Sequence, residues 1–189
     1  MEKRRHASNV FAKECISTAL LQLMESEKYE NITITDITKK AGVSRVTYYR
    51  NFANKEAIII YYLDELFYKY QQETQHLQEE QDYQFLLYAF YFFEKYSDMI
   101  ARLYEANLAT LLLDCFNKYV LWCIDVTEER LLKYAPHYLS GAIFNVFIEW
   151  IKSGKEESVE DMAALVQQLN NMSFKKTSIS IPNTTHLEC

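Results

Sequence analysis

Apolar residues recur at helical spacing along nearly the whole chain. Ala12, Cys15, Ile16, Ala19, Leu20 and Leu23 form one stripe and predict a first helix from about Ser8 to Ser26. Thr33 stands three residues before Asp36, the spacing of a capping box, and Ala41-Gly42 ends the short helix that follows. Ser44 opens a third helix, Arg45 to Asn51, at once. Asn54 caps a long fourth one striped by Ile59, Tyr62, Leu63, Leu66, Phe67 and Tyr70.

Beyond the polar stretch QQETQHLQEEQD, residues Tyr83 to Tyr96 are apolar almost all round, as in a helix buried on most sides. Ser97 can cap a helix bearing Ile100, Leu103, Tyr104, Leu108 and Leu111, and another stripe is Phe116, Tyr119, Val120 and Cys123. Pro136 suits a first turn and Gly154 a position just past a helix end, bracketing His137 to Ser153. Ser158 and Asp161 repeat the capping spacing before Met162, Leu165, Val166 and Leu169. The tail SFKKTSISIPNTTHLEC has no period and reads as disordered or loosely docked. The expected class is all-α, with about nine helices.

Composition narrows the function classes. Three Gly and two Pro in 189 residues cannot supply the turns of a many-stranded sandwich, and a 49% hydrophobic fraction excludes a disordered chain. No apolar run approaches the roughly 18 residues of a membrane span. The start MEKRRHASNVFAKE has a basic flank but no apolar signal region, so a cytoplasmic protein is expected. Cys15, Cys115, Cys123 and Cys189 show no CxxC or zinc spacing and read as reduced thiols. The four His share no ligand spacing, and no nucleophile–base pair, P-loop or GxGxxG is present. No metal, no cofactor and no enzymatic activity are expected.

Charge is asymmetric. Residues 1–60 hold ten Lys/Arg against seven acids, whereas the rest holds ten against nineteen. An acidic protein with a basic head can present one phosphate-seeking end. Two short helices joined by a Gly-containing turn behind a supporting helix suit a helix-turn-helix DNA reader. Val43, Tyr48 and Phe52 can point inward, which leaves Arg45, Val46, Thr47, Tyr49 and Arg50 toward the groove. Thr and Val methyls can meet a thymine methyl, and Arg can bridge guanine O6 and N7. Lys55, in the first turn of the fourth helix, sits where the dipole already favours an anion, so a phosphate partner explains it. On spacing alone, a surface αα-hairpin with ordinary charges also fits.

The segment ITITDITKKAGVSRVTYYRNFANKEAI resembles the DNA-binding head of the tetracycline-repressor (TetR) family of bacterial transcriptional regulators. Thr-x-x-Asp-Ile opens the second helix, Ala-Gly-Val-Ser makes the turn, and Thr-x-Tyr-x-x-Phe-x-x-Lys-Glu runs into the fourth helix. The likeness covers about residues 10–60. Beyond it, Tyr138, Gly141, Trp150 and Gly154 resemble a recurrent pattern of the penultimate helix. Carried over residue by residue, the resemblance implies base and backbone contacts from Ser44, Arg45, Val46, Thr47, Tyr49 and Asn51. It implies phosphate contacts from Thr33 and Lys55. Lys28 stands where the family has Gly, which predicts a different or strained turn, and Asn51 where it often has His.

The resemblance further implies a domain order: a helix-turn-helix domain over 1–53, an effector-binding and dimerisation domain over 54–172, and a tail over 173–189. It implies a homodimer whose last two helices form a four-helix bundle, placing Gly141, Phe144, Phe147, Ile148, Ile151, Leu165 and Leu169 at the interface. Gly141 and Ala142 permit close approach, although an ordinary buried helix also accounts for this apolar surface. A small-molecule effector pocket is implied among the fourth to eighth helices, with Tyr88, Phe92, Tyr104, Tyr119 and Trp122 as candidate contacts. The expected function is a repressor whose homodimer binds a palindromic double-stranded DNA operator, with no membrane partner. The alternative is a co-activator of the same fold controlled by a protein partner.

Overall fold

The computed structural model describes the backbone of residues 2–75, 82–123 and 127–171, with side chains over 9–75, 83–121 and 127–171. The expected tail at 173–189 lies outside the described residues, as do the side chains of Trp122 and Cys123. Among the described residues the protein is built of nine α-helices and has no strand. They are α1 (Glu2–Leu23), α2 (Ile34–Ala41), α3 (Arg45–Asn51), α4 (Lys55–Thr74), α5 (Asp82–Glu94), α6 (Ser97–Glu105), α7 (Ala109–Cys123), α8 (Glu129–Lys152) and α9 (Val159–Asn170). A 3-10 turn, Tyr29–Asn31, joins α1 to α2.

Helices α1, α2 and α3 pack on one another as a head. Helix α4 runs from the head, against α1, to the body, where it meets α5 and α7. There α9 lies on α5, and α8 on α7 and α6. One contiguous apolar cluster extends from Ile16, Ile37, Tyr48 and Phe52 in the head, through Ile59 and Leu63 of α4, to Phe90, Phe147 and Trp150 in the body. Apolar packing therefore carries across the junction at Asn54.

Local chemistry sets the helix ends. Thr33 and Asp36 form a full capping box: Thr33 Oγ1 accepts the Asp36 N–H at 3.2 Å, and Asp36 Oδ2 accepts the Thr33 N–H at 2.9 Å. Ile32 and Ile37, at the two positions of a hydrophobic staple, are both buried. Gly42 takes φ +66°, so the Val43 N–H can reach the Thr38 carbonyl at 3.1 Å and close the helix. Asn54 Oδ1 accepts the Ala57 N–H at 2.8 Å.

Several expectations are corrected. Helix α1 begins at Glu2 and ends at Leu23, earlier at both ends than Ser8 to Ser26. The expected helix through Ile100 and Leu111 is two helices, broken at Asn107, whose φ of +60° lets the Leu108 N–H bond the Leu103 carbonyl at 3.0 Å. Ser97 is the first residue of α6 and does not cap it; its buried hydroxyl accepts the Lys155 ammonium at 3.2 Å. Pro136 lies inside α8 instead of opening it. Strong helix formers (ERLLKYA) precede it and packing on α7 follows, so the helix bridges the missing N–H, a local cost of about 3 kcal/mol. Lys28 has ordinary extended geometry (φ −66°, ψ 137°), so the turn after α1 needs no glycine.

Candidate nucleic-acid interface

The outer face of the head is assembled by its caps. Ser44 Oγ accepts the Thr47 N–H at 3.1 Å and lies 2.9 Å from Thr47 Oγ1, which fixes the start of α3. Tyr48 is fully buried and Phe52 nearly so, with Val43 packed beside the same core. These anchors turn the opposite side of α3 outward. Val46 is 68% exposed and Tyr49 58% exposed, flanked by exposed Arg45 and Arg50. The Tyr49 ring also packs edge-on against Tyr48, at 5.2 Å between ring centres, which holds it on this face.

Polar neighbours hold this face in place. The Arg45 guanidinium donates to Thr35 Oγ1 at 3.1 Å, tying α3 to the first turn of α2. Asn51 Nδ2 donates to the Thr47 carbonyl at 2.8 Å. Thr33, exposed at the start of α2, sits beside free N–H groups of the first turn. Its hydroxyl and N–H both donate to Asp36 and hold that carboxyl below the usual carboxylate range. Lys55 lies in the first turn of α4 as expected, and its ammonium donates to the Tyr29 carbonyl at 2.6 Å and the Ile32 carbonyl at 2.8 Å. Sequence reasoning missed Tyr29 and Glu56, whose side chains meet at 3.0 Å across 27 residues.

In the body, rings gather around Tyr70. Phe92, Tyr119, Phe93, Tyr88 and Phe85 stand 5.0–6.2 Å from its ring. Three of the expected effector residues, Tyr88, Phe92 and Tyr119, are thus brought together. Tyr104 is not among them; it is exposed on α6. The Tyr88 phenol donates to Glu73, and burial with that bond pushes it up to about 12. An open groove of about 520 Å³ runs along α4, lined by Tyr62, Leu66, Tyr68, Lys69, Glu73 and Tyr96 among others. Tyr88, Phe92, Tyr104 and Tyr119 do not line it. Burial, with the Asp64 carboxylate beside it, raises the Cys115 thiol to about 11, and the thiol donates weakly to Asp64 Oδ1 at 4.0 Å. No group of three metal-ligating side chains occurs among the described residues.

Residues 16–62 match the family described as bacterial regulatory proteins, tetR family, and residues 80–172 match a transcriptional regulator C-terminal region. The chain belongs to the TetR family. It is 37% identical over 59 residues to the uncharacterized HTH-type transcriptional regulator YxbF of Bacillus subtilis (strain 168). It is 40% identical over 45 residues to the HTH-type transcriptional regulator EthR of Mycolicibacterium smegmatis (strain ATCC 700084 / mc(2)155). These matches take in 31% and 24% of this chain but only 16% and 21% of those proteins.

The fold is similar over 85% of this chain and 94% of the other to the dihydroxyacetone kinase operon activator DhaS, with a TM-score of 0.55 and 19% identity. It is also similar to the fatty acid degradation regulator FadR from Bacillus halodurans, over 84% and 93%, with a TM-score of 0.54 and 18% identity. Thermus thermophilus FadR, a TetR-family repressor in complex with lauroyl-CoA, is similar over 88% and 97%, with a TM-score of 0.50 and 17% identity.

Helices α8 and α9 divide their apolar residues between two faces. Phe147 and Ile148 are buried in this chain's own core, Phe147 in ring contact with Phe90, Phe93 and Trp150. Both are covered within this chain. Gly141, Phe144 and Ile151 are half-buried. Leu165 and Leu169, each 41% exposed, stand outward on α9, and Tyr134 and Tyr138 do so on α8. No described helix is long and apolar enough to cross a membrane.

Proposed function

We propose that this TetR-family regulator is a cytoplasmic repressor whose homodimer binds a palindromic operator and is released by a small molecule. The observation that carries the reading is the outward pair Val46 and Tyr49 on α3, set between two arginines on a core-anchored helix. Val46, Thr47 and Tyr49 meet base edges and thymine methyls, Arg45 reads a guanine, and Ser44, Asn51 and Thr33 hold the backbone. The head is the segment 1–53, the body 54–172, and the second copy docks on α8 and α9 through Leu165 and Leu169. The protein acts by binding and catalyses no reaction.

The effector enters the open groove along α4, where Leu66 joins it to the aromatic cluster of Tyr70, Tyr88, Phe92 and Tyr119. Thermus thermophilus FadR is a complex with lauroyl-CoA, and from it we carry over only that the effector has a substantial apolar part. Effector and operator then compete through the shape of one body: a ligand that prefers another head separation weakens DNA binding by linkage.

Selection of duplexes from a random library tests the reading. A two-fold symmetric site, occupied by two chains, is expected; the absence of any preferred sequence would remove it. With that site in hand, Arg45→Ala is expected to relax the preference at one base position per half-site, by about 1–3 kcal/mol. Quantitative selection with the variant checks this.

Leu66→Ala tests transmission through α4, because Leu66 is buried on that helix in the same cluster as Tyr70, Phe92 and Tyr119. The coupling between effector and operator is expected to change by about 1–2 kcal/mol, more than either binding step alone. Operator affinity with and without effector, for both proteins, measures it. Release by a protein and by no small molecule would put the co-activator reading in its place.

A further inference from the structure

Lys55 occupies the first turn of α4, where the helix dipole repels a cation. Its ammonium answers that repulsion inside the protein. It donates to the carbonyls of Tyr29 and Ile32, at 2.6 and 2.8 Å, and lies 4.3 Å from the centre of the Tyr29 ring. Two short charge-assisted bonds and a ring face leave a half-buried ammonium with one N–H uncommitted. The next residue holds the other end of the same tyrosine, since Glu56 Oε1 accepts the Tyr29 phenol at 3.0 Å. Two adjacent residues of α4 therefore grip the α1–α2 turn by its backbone, its ring and its hydroxyl.

The gripped segment is not arbitrary. Ile32 immediately precedes Thr33, the cap of α2, and Thr35 of α2 receives the Arg45 guanidinium of α3. A chain of contacts thus leads from α4 through Tyr29–Ile32 to the start of α2 and on to the outward face of α3. We propose that Lys55 is a positioning residue that, with Glu56, locks the α1–α2 turn to α4 and so sets the register of α2 and α3. The proposal rests on the DNA-binding reading of the head.

The test compares Lys55→Met and Lys55→Arg in the full chain, using a duplex selected by the wild-type protein and poly(dI-dC) as non-specific DNA. A positioning role predicts that Lys55→Met weakens the selected duplex about tenfold and poly(dI-dC) little, because register serves base contacts. The slope of log affinity against log salt stays at its wild-type value. Lys55→Arg, which keeps the charge but not a compact ammonium between two carbonyls, is expected to lose the selected duplex similarly, and it decides the matter if the methionine variant does not fold.

A phosphate contact predicts the reverse: both DNAs weakened alike, a slope shallower by about 0.9 per subunit, and wild-type affinity with arginine. Any of these overturns the proposal. A purely structural lysine would leave the ratio of selected to non-specific affinity unchanged, which overturns it as well. Hydrogen exchange without DNA separates the lock from the DNA reading. The Ile32 amide, bonded to the Tyr29 carbonyl, is expected to exchange faster in Lys55→Met, and unchanged exchange would remove the lock even if the wild type binds no DNA.

Discussion

Glutamate at both Leu165 and Leu169 is expected to leave a folded monomer near 22.4 kDa, and the wild type is expected to sediment at twice that mass. Both leucines stand outward on α9, so the change removes nothing from the chain's own core. A two-fold interface receives each substitution twice, placing four carboxylates on one apolar seam. Untying the heads also removes the avidity of two half-sites, so operator affinity is expected to fall by roughly 10²–10⁴-fold. Phe147→Ala is the contrast. Its ring packs on Phe90, Phe93 and Trp150, so truncation is expected to cost about 3–5 kcal/mol of stability without shifting the assembly equilibrium. Sedimentation and urea unfolding separate the two outcomes. A double variant that remained dimeric at micromolar concentration would place the interface elsewhere.

Tyr70→Ala is expected to destabilise the body by about 3–5 kcal/mol, the range for a large ring removed from a filled core. Tyr70 is fully buried, and its ring touches five others drawn from α5 and α7, so no single neighbour can collapse into the space. Val46→Ala is expected to stay within about 0.5 kcal/mol of wild type, because that side chain is exposed and contributes nothing to the core. Urea titration of both variants measures the difference. Equal stabilities would mean that the aromatic cluster is loosely packed.

The head was legible from the sequence because its signals are local. Thr33, Ser44 and Asn54 announce three helix starts through hydroxyl or amide groups that reach only three residues ahead, and Gly42 announces a stop through its own φ. The all-helical class followed from periodicity in the same way. Features that depend on distant partners were not legible. Phe147 meets Phe90 on α5, more than fifty positions away, and the carbonyls that hold Lys55 lie more than twenty positions away. Pro136 misled because a proline marks a helix start only when the turn before it lacks reason to be helical. Ser97 looked like a cap, yet a lysine from the α8–α9 turn had claimed its hydroxyl.

The 20 residues of α4 span about 30 Å, and that length gives the molecule a gearing. Tilting such a rod by about 5° at its body end sweeps Asn54 through about 2.5 Å. In a two-fold pair the displacements add, so the spacing between recognition helices changes by up to about 5 Å against a repeat of about 34 Å. Hydrogen bonds to bases tolerate only about 0.5 Å of that. In the proposed dimer, a rearrangement around Tyr70 that tilted α4 by this much would put one half-site out of reach while the other stays seated.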